Sequence, residues 1–192
     1  MNKNILVALG LLLLSTGVVF ASERVALVSG EDISHGGFGG VSTKLTRLNG
    51  AMSILVGGKG AWLVDHSFYL GGGGYGSAGS IQGTSKYLGY GGPMAGYIAM
   101  PSRLVHFGAE VMVGGGALGE AHDPDDMHFS HGNEDPILVV EPAAYLSLNL
   151  AEHATINAGV SYRFVASSSD AVLSNSDLSG LSGEISIVFG KF

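Results

Sequence analysis

The feature that most constrains this chain is a repeated alternation of apolar and polar residues. Strict alternation indicates an extended strand whose two faces meet different environments. In the last segment of the chain, one side carries Leu181, Ile185, Ile187 and Phe189. The other side of this segment carries Ser182, Glu184, Ser186 and Gly190. A sequence of this kind predicts a sheet with one apolar face and one polar face.

Eight segments of this kind follow one another from Gly36 to the end of the chain. They cover residues 37–48, 51–64, 67–77, 87–100, 104–118, 137–150, 155–166 and 180–192. Their lengths of 11 to 15 residues exceed the mean of about 5–6 residues for strands in soluble sheets. About 9–11 tilted residues cross a lipid bilayer, so each segment is long enough to span one.

The connections between these segments alternate in length. The first is Asn49-Gly50, a two-residue hairpin signal. The second, fourth and sixth are short turns at 65–66, 101–103 and 151–153. The third, fifth and seventh are longer and polar, at 77–86, 119–136 and 167–179. Because short turns on one side and long loops on the other are typical of transmembrane barrels, the pattern predicts an all-β fold, an eight-stranded antiparallel up-and-down transmembrane β-barrel.

The end of the chain adds a family resemblance. A final strand that ends on an aromatic residue, here Phe192, resembles the C-terminal signal that the barrel-assembly machinery reads in bacterial outer-membrane barrels. Members of that family usually carry a hydrophobic residue two positions before the last, where this chain has Gly190. From Gly36 onward the layout resembles the small eight-stranded barrels, the class of the OmpA transmembrane domain and OmpX. The resemblance implies the outer membrane of a Gram-negative-type bacterium, contact with outer-membrane lipids and assembly by that machinery.

The start of the chain predicts export. Lys3, the apolar run 5–14 and the small residues that end at Ala21 form the pattern of a cleavable signal peptide over 1–21. We expect an N-terminal lead over 22–35 and the barrel over 36–192. The chain contains no cysteine, which excludes disulfides, a lipid-anchoring cysteine and thiolate metal sites.

The charge of the chain argues against nucleic acid as a partner. Without residues 1–21, 8 basic and 16 acidic side chains remain, and the basic ones form no cluster. Proteins that bind nucleic acid usually present a basic patch. The glycines Gly71, Gly73 and Gly76 have the spacing of a dinucleotide-binding motif, but no helical pattern follows them, as that motif requires. We therefore predict no nucleic-acid partner and no cofactor.

Six charged residues fall on the polar rows of the strands. They are Lys44, Lys59, Glu110, Glu141, Arg163 and Glu184. Charges enclosed in a narrow barrel must pair or stay hydrated, so we expect a charge network near mid-height of the lumen. Eight strands enclose a space that side chains just fill, which predicts no open pore; a gated ion path is the alternative. We also expect strand glycines to leave room for the rings of Tyr69 and Tyr87 in the lumen.

Aromatic residues near the strand ends predict two girdles at the membrane interfaces. The predicted girdle near the short turns contains Trp62, Phe68, Phe107 and Phe189. The predicted girdle near the long loops contains Tyr75, Tyr90, Tyr162 and Phe164. Ordinary aromatic packing within a sheet is the alternative. Pro93 and Pro142 fall within strands, where a missing N–H donor breaks the ladder, so we expect β-bulges there.

The fifth connection holds the weak candidates for a metal site. They are His122, Asp123, Asp125, Asp126, His128 and His131. Their spacing is not that of a calcium-binding EF-hand loop, and a solvated acidic loop is the alternative. His66, His106 and His153 fall near the short turns, without a local motif that marks catalysis.

Taken together, these patterns predict a non-enzymatic outer-membrane barrel with a structural, envelope-integrity or surface-interaction role. We expect an extracellular partner, if there is one, to contact the loops 77–86, 119–136 and 167–179. Two alternatives stay open. One is an outer-membrane enzyme acting on lipid or peptide, which would depend on the loop histidines or the lumen glutamates. The other is a soluble secreted ligand-binding barrel, whose exterior would be polar and whose interior would be apolar.

Overall fold

Eight antiparallel strands form a closed barrel in the computed structural model, which describes residues 35–120, 135–167 and 173–192. The strands are β1 (His35–Leu48), β2 (Ala51–Val64), β3 (Phe68–Ser77), β4 (Lys86–Ala99), β5 (Val105–Glu120), β6 (Asp135–Ala151), β7 (Ala154–Ser167) and β8 (Gly180–Lys191). Each strand pairs with its neighbours in sequence, and β1 pairs with β8 to close the sheet. The predicted fold class is confirmed, and the predicted strand ends lie within two residues of the observed ones.

Several predicted features lie outside the described residues. They are the signal peptide at 1–21, the lead up to residue 34, and the metal candidates His122, Asp123, Asp125, Asp126, His128 and His131. Residue 35, predicted to be the last residue of the lead, is the first residue of β1.

The two ends of the barrel differ. The turns after β2, β4 and β6 lie at the end that also carries the first residue of β1 and the last residue of β8, here called the terminus end. The Asn49-Gly50 turn and the connections after β3, β5 and β7 leave the strands at the opposite end, here called the loop end. Asn49 and Gly50 have positive φ angles of 51° and 77°, as a type I′ hairpin turn requires.

The exterior of the barrel is apolar. In β8, outward-facing Leu181, Ile185, Ile187 and Phe189 alternate with buried residues. Other large exposed side chains on the strands include Val41, Ile54, Leu70, Val111, Leu138, Leu146 and Val160. A barrel in water needs a polar exterior, so the described strands contradict the alternative of a soluble ligand-binding barrel.

The interior toward the loop end is also apolar, a feature that was not predicted from the sequence. This apolar layer consists of Leu48, Leu55, Ile81, Leu88, Leu118, Val139, Leu173 and Leu178. Ile81 lies in the connection between β3 and β4, and Leu178 ends a one-turn helix, α1 (Asn175–Leu178). Among the described residues, no helix has both the length and the apolar character needed to cross a membrane.

The two strand prolines do not produce bulges, and this prediction was wrong. Pro93 pairs with Gly72 of β3 but has no partner in β5, and Pro142 pairs with Val111 of β5 but has no partner in β7. In an antiparallel ladder the N–H and C=O of one residue point toward the same neighbouring strand. Each proline therefore interrupts pairing on one side only, and the register continues unchanged beyond it.

Two of the eight aromatic residues predicted for the girdles lie inside the barrel instead. Trp62, Phe68, Phe107 and Phe189 are exposed on the exterior near the terminus end, and Tyr162 and Phe164 are exposed near the loop end. Tyr75 and Tyr90, however, are buried inside the barrel. Tyr87, predicted to lie in the lumen, faces outward and is 38% exposed, whereas Tyr69 is buried as predicted. The strand 87–92 is apolar or glycine on both faces, so alternation alone did not show which of Tyr87 and Tyr90 faces inward.

Candidate functional site: the charged interior

The middle of the barrel contains a network of buried ion pairs. Lys44 on β1 has its Nζ 2.7 Å from Oε1 of Glu141 on β6 and 3.7 Å from Oε2 of Glu184 on β8. The Lys44 ammonium also lies 3.4 Å from the centre of the Tyr75 ring. Lys44 thus links Glu141 on β6, across the barrel, to Glu184 on the adjacent strand β8.

A second lysine extends the network toward the terminus end. Lys59 on β2 has its Nζ 2.9 Å from Oε1 of Glu110 on β5 and 3.5 Å from Oε1 of Glu184. Glu184 is therefore shared by both lysines. The five residues together carry three carboxylates and two ammonium groups, and all five side chains are less than a tenth exposed.

Tyrosine and serine hydroxyls complete the hydrogen bonding of the carboxylates. Tyr90 donates to Oε2 of Glu141 at 2.7 Å, and Tyr75 donates to Glu184 at 3.2 Å. Tyr69 donates to Glu110 and lies 3.1 Å from the hydroxyl of Tyr145. Ser161 donates to Glu141 and Ser42 to Glu184. A buried carboxylate with several donors is far less costly than an isolated one.

Arg163, the sixth predicted member, is not part of this network. The register of β6 and β7 places it opposite Glu141, but the Glu141 oxygens are occupied by Lys44, Ser161 and Tyr90. Arg163 is fully buried and donates from Nε to the carbonyl of Leu178 at 2.8 Å. Its two terminal nitrogens have no hydrogen-bond partner in the described part of the chain.

Three tyrosines of the site and one ion pair were not predicted from the sequence. The sequence predicts Tyr75 and Tyr90 on the exterior, and Tyr145 is absent from the predicted site, although period two from Glu141 places its side chain inside. Lys86 forms a further interior ion pair with Asp135, at 2.7 Å, near the loop end. The alternation identified the inward face, but it did not identify the partner of each side chain.

Three small cavities follow the network inside the barrel, and all three touch Lys59. Each has room for about one water molecule. The cavity nearest the terminus end is lined by Phe192, His106 and Glu110, among others. None of the three reaches the apolar layer. Cavities of this size can hold bound water molecules beside the network.

The terminal Phe192 lies at the terminus end of the interior. Its ring is stacked 5.9 Å from the ring of Phe38, whereas Phe189 faces outward. Of the three histidines near the short turns, His66 and His153 are exposed and His106 is buried. His106 lies opposite Ser147 in the register, but its Nδ1 is 3.3 Å from the Arg103 carbonyl, and Ser147 donates to Asn157. These contacts are not those of a nucleophile and its base.

The described residues offer no group of three or more histidines or carboxylates arranged to hold a metal ion. The loop-end turn 174–177 contains one charged side chain, Asp177, which accepts hydrogen bonds from the Ser174 hydroxyl and backbone N–H at 2.6 and 3.0 Å. These bonds hold the pKa of the Asp177 carboxyl below its usual value.

Gly96 leaves the space that the ring of Tyr69 occupies. A Cβ at this position would overlap the Tyr69 ring, whose hydroxyl bonds Glu110. We expect Gly96→Ala to lower the free energy of unfolding in detergent micelles by about 1–3 kcal/mol, because the ring must leave its place. Gly89→Ala on the same strand is the control, since a Cβ there meets nothing within 4 Å. Equal stabilities of the two variants would contradict the assigned packing of Tyr69.

Comparisons with known proteins bear on the fold. No family model matches the chain, and no match is found among curated proteins. Among solved structures, the chain is similar to the N-terminal β-barrel domain of Pseudomonas aeruginosa OprF, with a TM-score of 0.58 and 9% identity over 83% of this chain and 99% of that one. It is also similar to Neisserial surface protein A, with a TM-score of 0.54 and 13% identity over 84% and 100%.

A third similar structure is Ail, the attachment invasion locus protein of Yersinia pestis, in complex with the heparin analogue sucrose octasulfate. Its TM-score is 0.52, with 11% identity over 84% of this chain and 100% of that one. At these identities the similarity establishes a shared fold. The predicted resemblance to small eight-stranded outer-membrane barrels is thereby confirmed.

Proposed function

We propose that the protein is a non-enzymatic barrel of the outer membrane of a Gram-negative-type bacterium, with a role in envelope structure or in interactions at the cell surface. The apolar exterior is the observation that carries this proposal. Along β8 the apolar row runs from Leu181 to Phe189. At about 3.4 Å per residue and a tilt of about 40°, this row covers about 20 Å along the membrane normal, close to the apolar band of about 25 Å in outer-membrane barrels.

The interior argues for a structural role rather than transport through an open pore. Ion pairs fill the middle of the barrel, and leucines fill its loop end. His106 contacts the Arg103 carbonyl and Ser147 donates to Asn157, so the two side chains are engaged with other partners, which supports the proposal that the barrel is not an enzyme.

The loops set the chemistry of any surface partner. The sequences 78–85, 121–134 and 168–179 contain six Asp or Glu residues and no Lys or Arg. Ail is described in complex with a polysulfated heparin analogue, but a polyanion would be repelled by loops of this composition. We therefore infer that a partner bound by these loops is neutral or cationic.

Cell fractionation followed by gel electrophoresis tests the location and the closed fold together. We expect the protein in the outer membrane, and we expect the unboiled sample to migrate faster in SDS than the boiled one, because a closed barrel stays compact until heated. Recovery in the soluble periplasm with no heat-dependent shift would contradict the proposal.

A further inference from the structure

Residues 173–179 lie over the loop end of the barrel and are here called the lid. The lid contains α1 and inserts two side chains into the apolar layer, Leu173 and Leu178, which are 4% and 0% exposed. Residues 174–176 between them are exposed. The lid therefore seals this end with two leucines and presents a polar surface outward.

Four hydrogen bonds connect the lid to the barrel. The Asn49 N–H donates to the Asp177 carbonyl at 2.9 Å, and Arg163 Nε donates to the Leu178 carbonyl at 2.8 Å. The Val165 N–H donates to Ser179 Oγ, and the Ser167 N–H donates to Asn175 Oδ1, both at 2.9 Å. None of these four bonds belongs to a strand ladder, so the lid can move away while the ladders stay intact.

Arg163 carries a buried charge beneath the lid. Its guanidinium is fully buried under Leu178, and both terminal nitrogens lack a hydrogen-bond partner among the described residues. The Leu178 carbonyl, which accepts from Nε, and the Tyr90 ring, 5.6 Å from Cζ, offset part of its charge. A buried charge without full hydrogen bonding is costly. Outward movement of the lid would give the guanidinium water and remove that cost.

We propose that the lid is a two-state device held close to balance by Arg163, in which opening exposes the buried guanidinium and the lid leucines at the outer mouth. In the closed state the apolar contacts of Leu173 and Leu178 outweigh the cost of the buried charge by a narrow margin. The strand leucines of the apolar layer, such as Leu55 and Leu118, do not belong to the lid and stay in place when it opens. The inference goes beyond the proposed envelope role and does not depend on it.

Amide hydrogen exchange of the purified barrel in micelles tests this device. In the wild type, we expect the Asn49 and Val165 amides, which donate to the lid, to exchange faster than amides of the β8 ladder. Arg163→Met removes the charge and keeps an apolar side chain, so it should slow exchange at Asn49 by about tenfold. Arg47→Met is the matched control, because Arg47 also lies near the loop end but faces outward and is exposed. It should leave exchange at Asn49 unchanged.

Faster exchange at Asn49 in Arg163→Met would overturn the proposal, because Arg163 would then hold the lid closed. Unchanged exchange would also overturn it, because Arg163 would then have no effect on the lid. Arg163→Gln is the second variant, should the methionine variant fail to form a barrel; its amide can still donate to Leu178, and we expect slower exchange here also. An independent measurement uses an arginine-specific dicarbonyl reagent on the wild type. Arg163 should be labelled more slowly than Arg47, and Leu178→Ala should speed its labelling. Labelling of Arg163 that Leu178→Ala does not change would contradict a lid.

Discussion

The Ile185→Arg substitution is expected to lower the free energy of unfolding by about 2–4 kcal/mol, because it places a charge on the lipid-facing surface near the membrane midplane. Ile185 lies in the middle of β8, and 59% of its surface is exposed on the outside of the barrel. On a protein surrounded by water, an arginine at an exposed position would cost almost nothing. Urea-induced unfolding in lipid vesicles, followed by tryptophan fluorescence, measures the change.

Leu181→Arg is the matched control for this experiment. Leu181 faces outward on the same strand and is 65% exposed, but it is the second residue of β8, at the loop end. An arginine near the interface costs about 0–1 kcal/mol, because its side chain can reach the headgroups. Equal losses at the two positions, or no loss at either, would contradict a lipid-facing exterior.

The fold followed from the sequence because the membrane and the barrel impose a simple rule on each strand. Outward residues such as Leu146 and Val160 must be apolar, and period two then fixes the face of every neighbour. Because consecutive strands are joined by hairpin connections, each strand pairs with the next one in the sequence, and this is the strand order observed. The predicted strand ends lie within two residues of the observed ones in all eight strands.

The same rule failed where both rows of a strand are apolar or glycine. Leu88 and Tyr90 face inward in β4, and the inward row of β6 begins with Ile137 and Val139. An apolar interior layer looks like a lipid-facing row when only one strand is considered. This ambiguity explains the wrong positions predicted for Tyr75, Tyr87 and Tyr90, and it concealed the apolar layer at the loop end.

The side-chain contacts within the site could not be predicted from the sequence, for a different reason. Period two places Arg163 and Glu141 inside, and the register makes them neighbours, but Glu141 pairs with Lys44 from the far side of the barrel. Which cation reaches a carboxylate depends on side-chain length, on the space left by residues such as Gly96, and on the Leu178 carbonyl that accepts from Arg163. These distances exist only in the closed barrel.

Loss of the Lys44 charge is expected to lower the free energy of unfolding strongly. Lys44→Met leaves Glu141 without a cation, because Lys44 is its only ion-pair partner among the described residues. Removal of one partner from a buried pair typically costs about 3–5 kcal/mol. Thermal unfolding in micelles, followed by circular dichroism, should show a lower midpoint. Lys191→Met is the control, because Lys191 is exposed on β8 at the terminus end and should have little effect.

The double variant Lys44→Met/Glu141→Gln separates an unpaired charge from lost packing. It removes the orphaned carboxylate, while the glutamine can still accept a hydrogen bond from Tyr90 or Ser161, the present partners of Glu141. Most of the stability lost in Lys44→Met should return, since the main cost of that variant is a buried charge without its partner. A double variant no more stable than Lys44→Met would mean that Lys44 acts through its contact with the Tyr75 ring. A Lys44→Met variant as stable as Lys191→Met would mean that water reaches Glu141 and that the interior is more open than its cavities indicate.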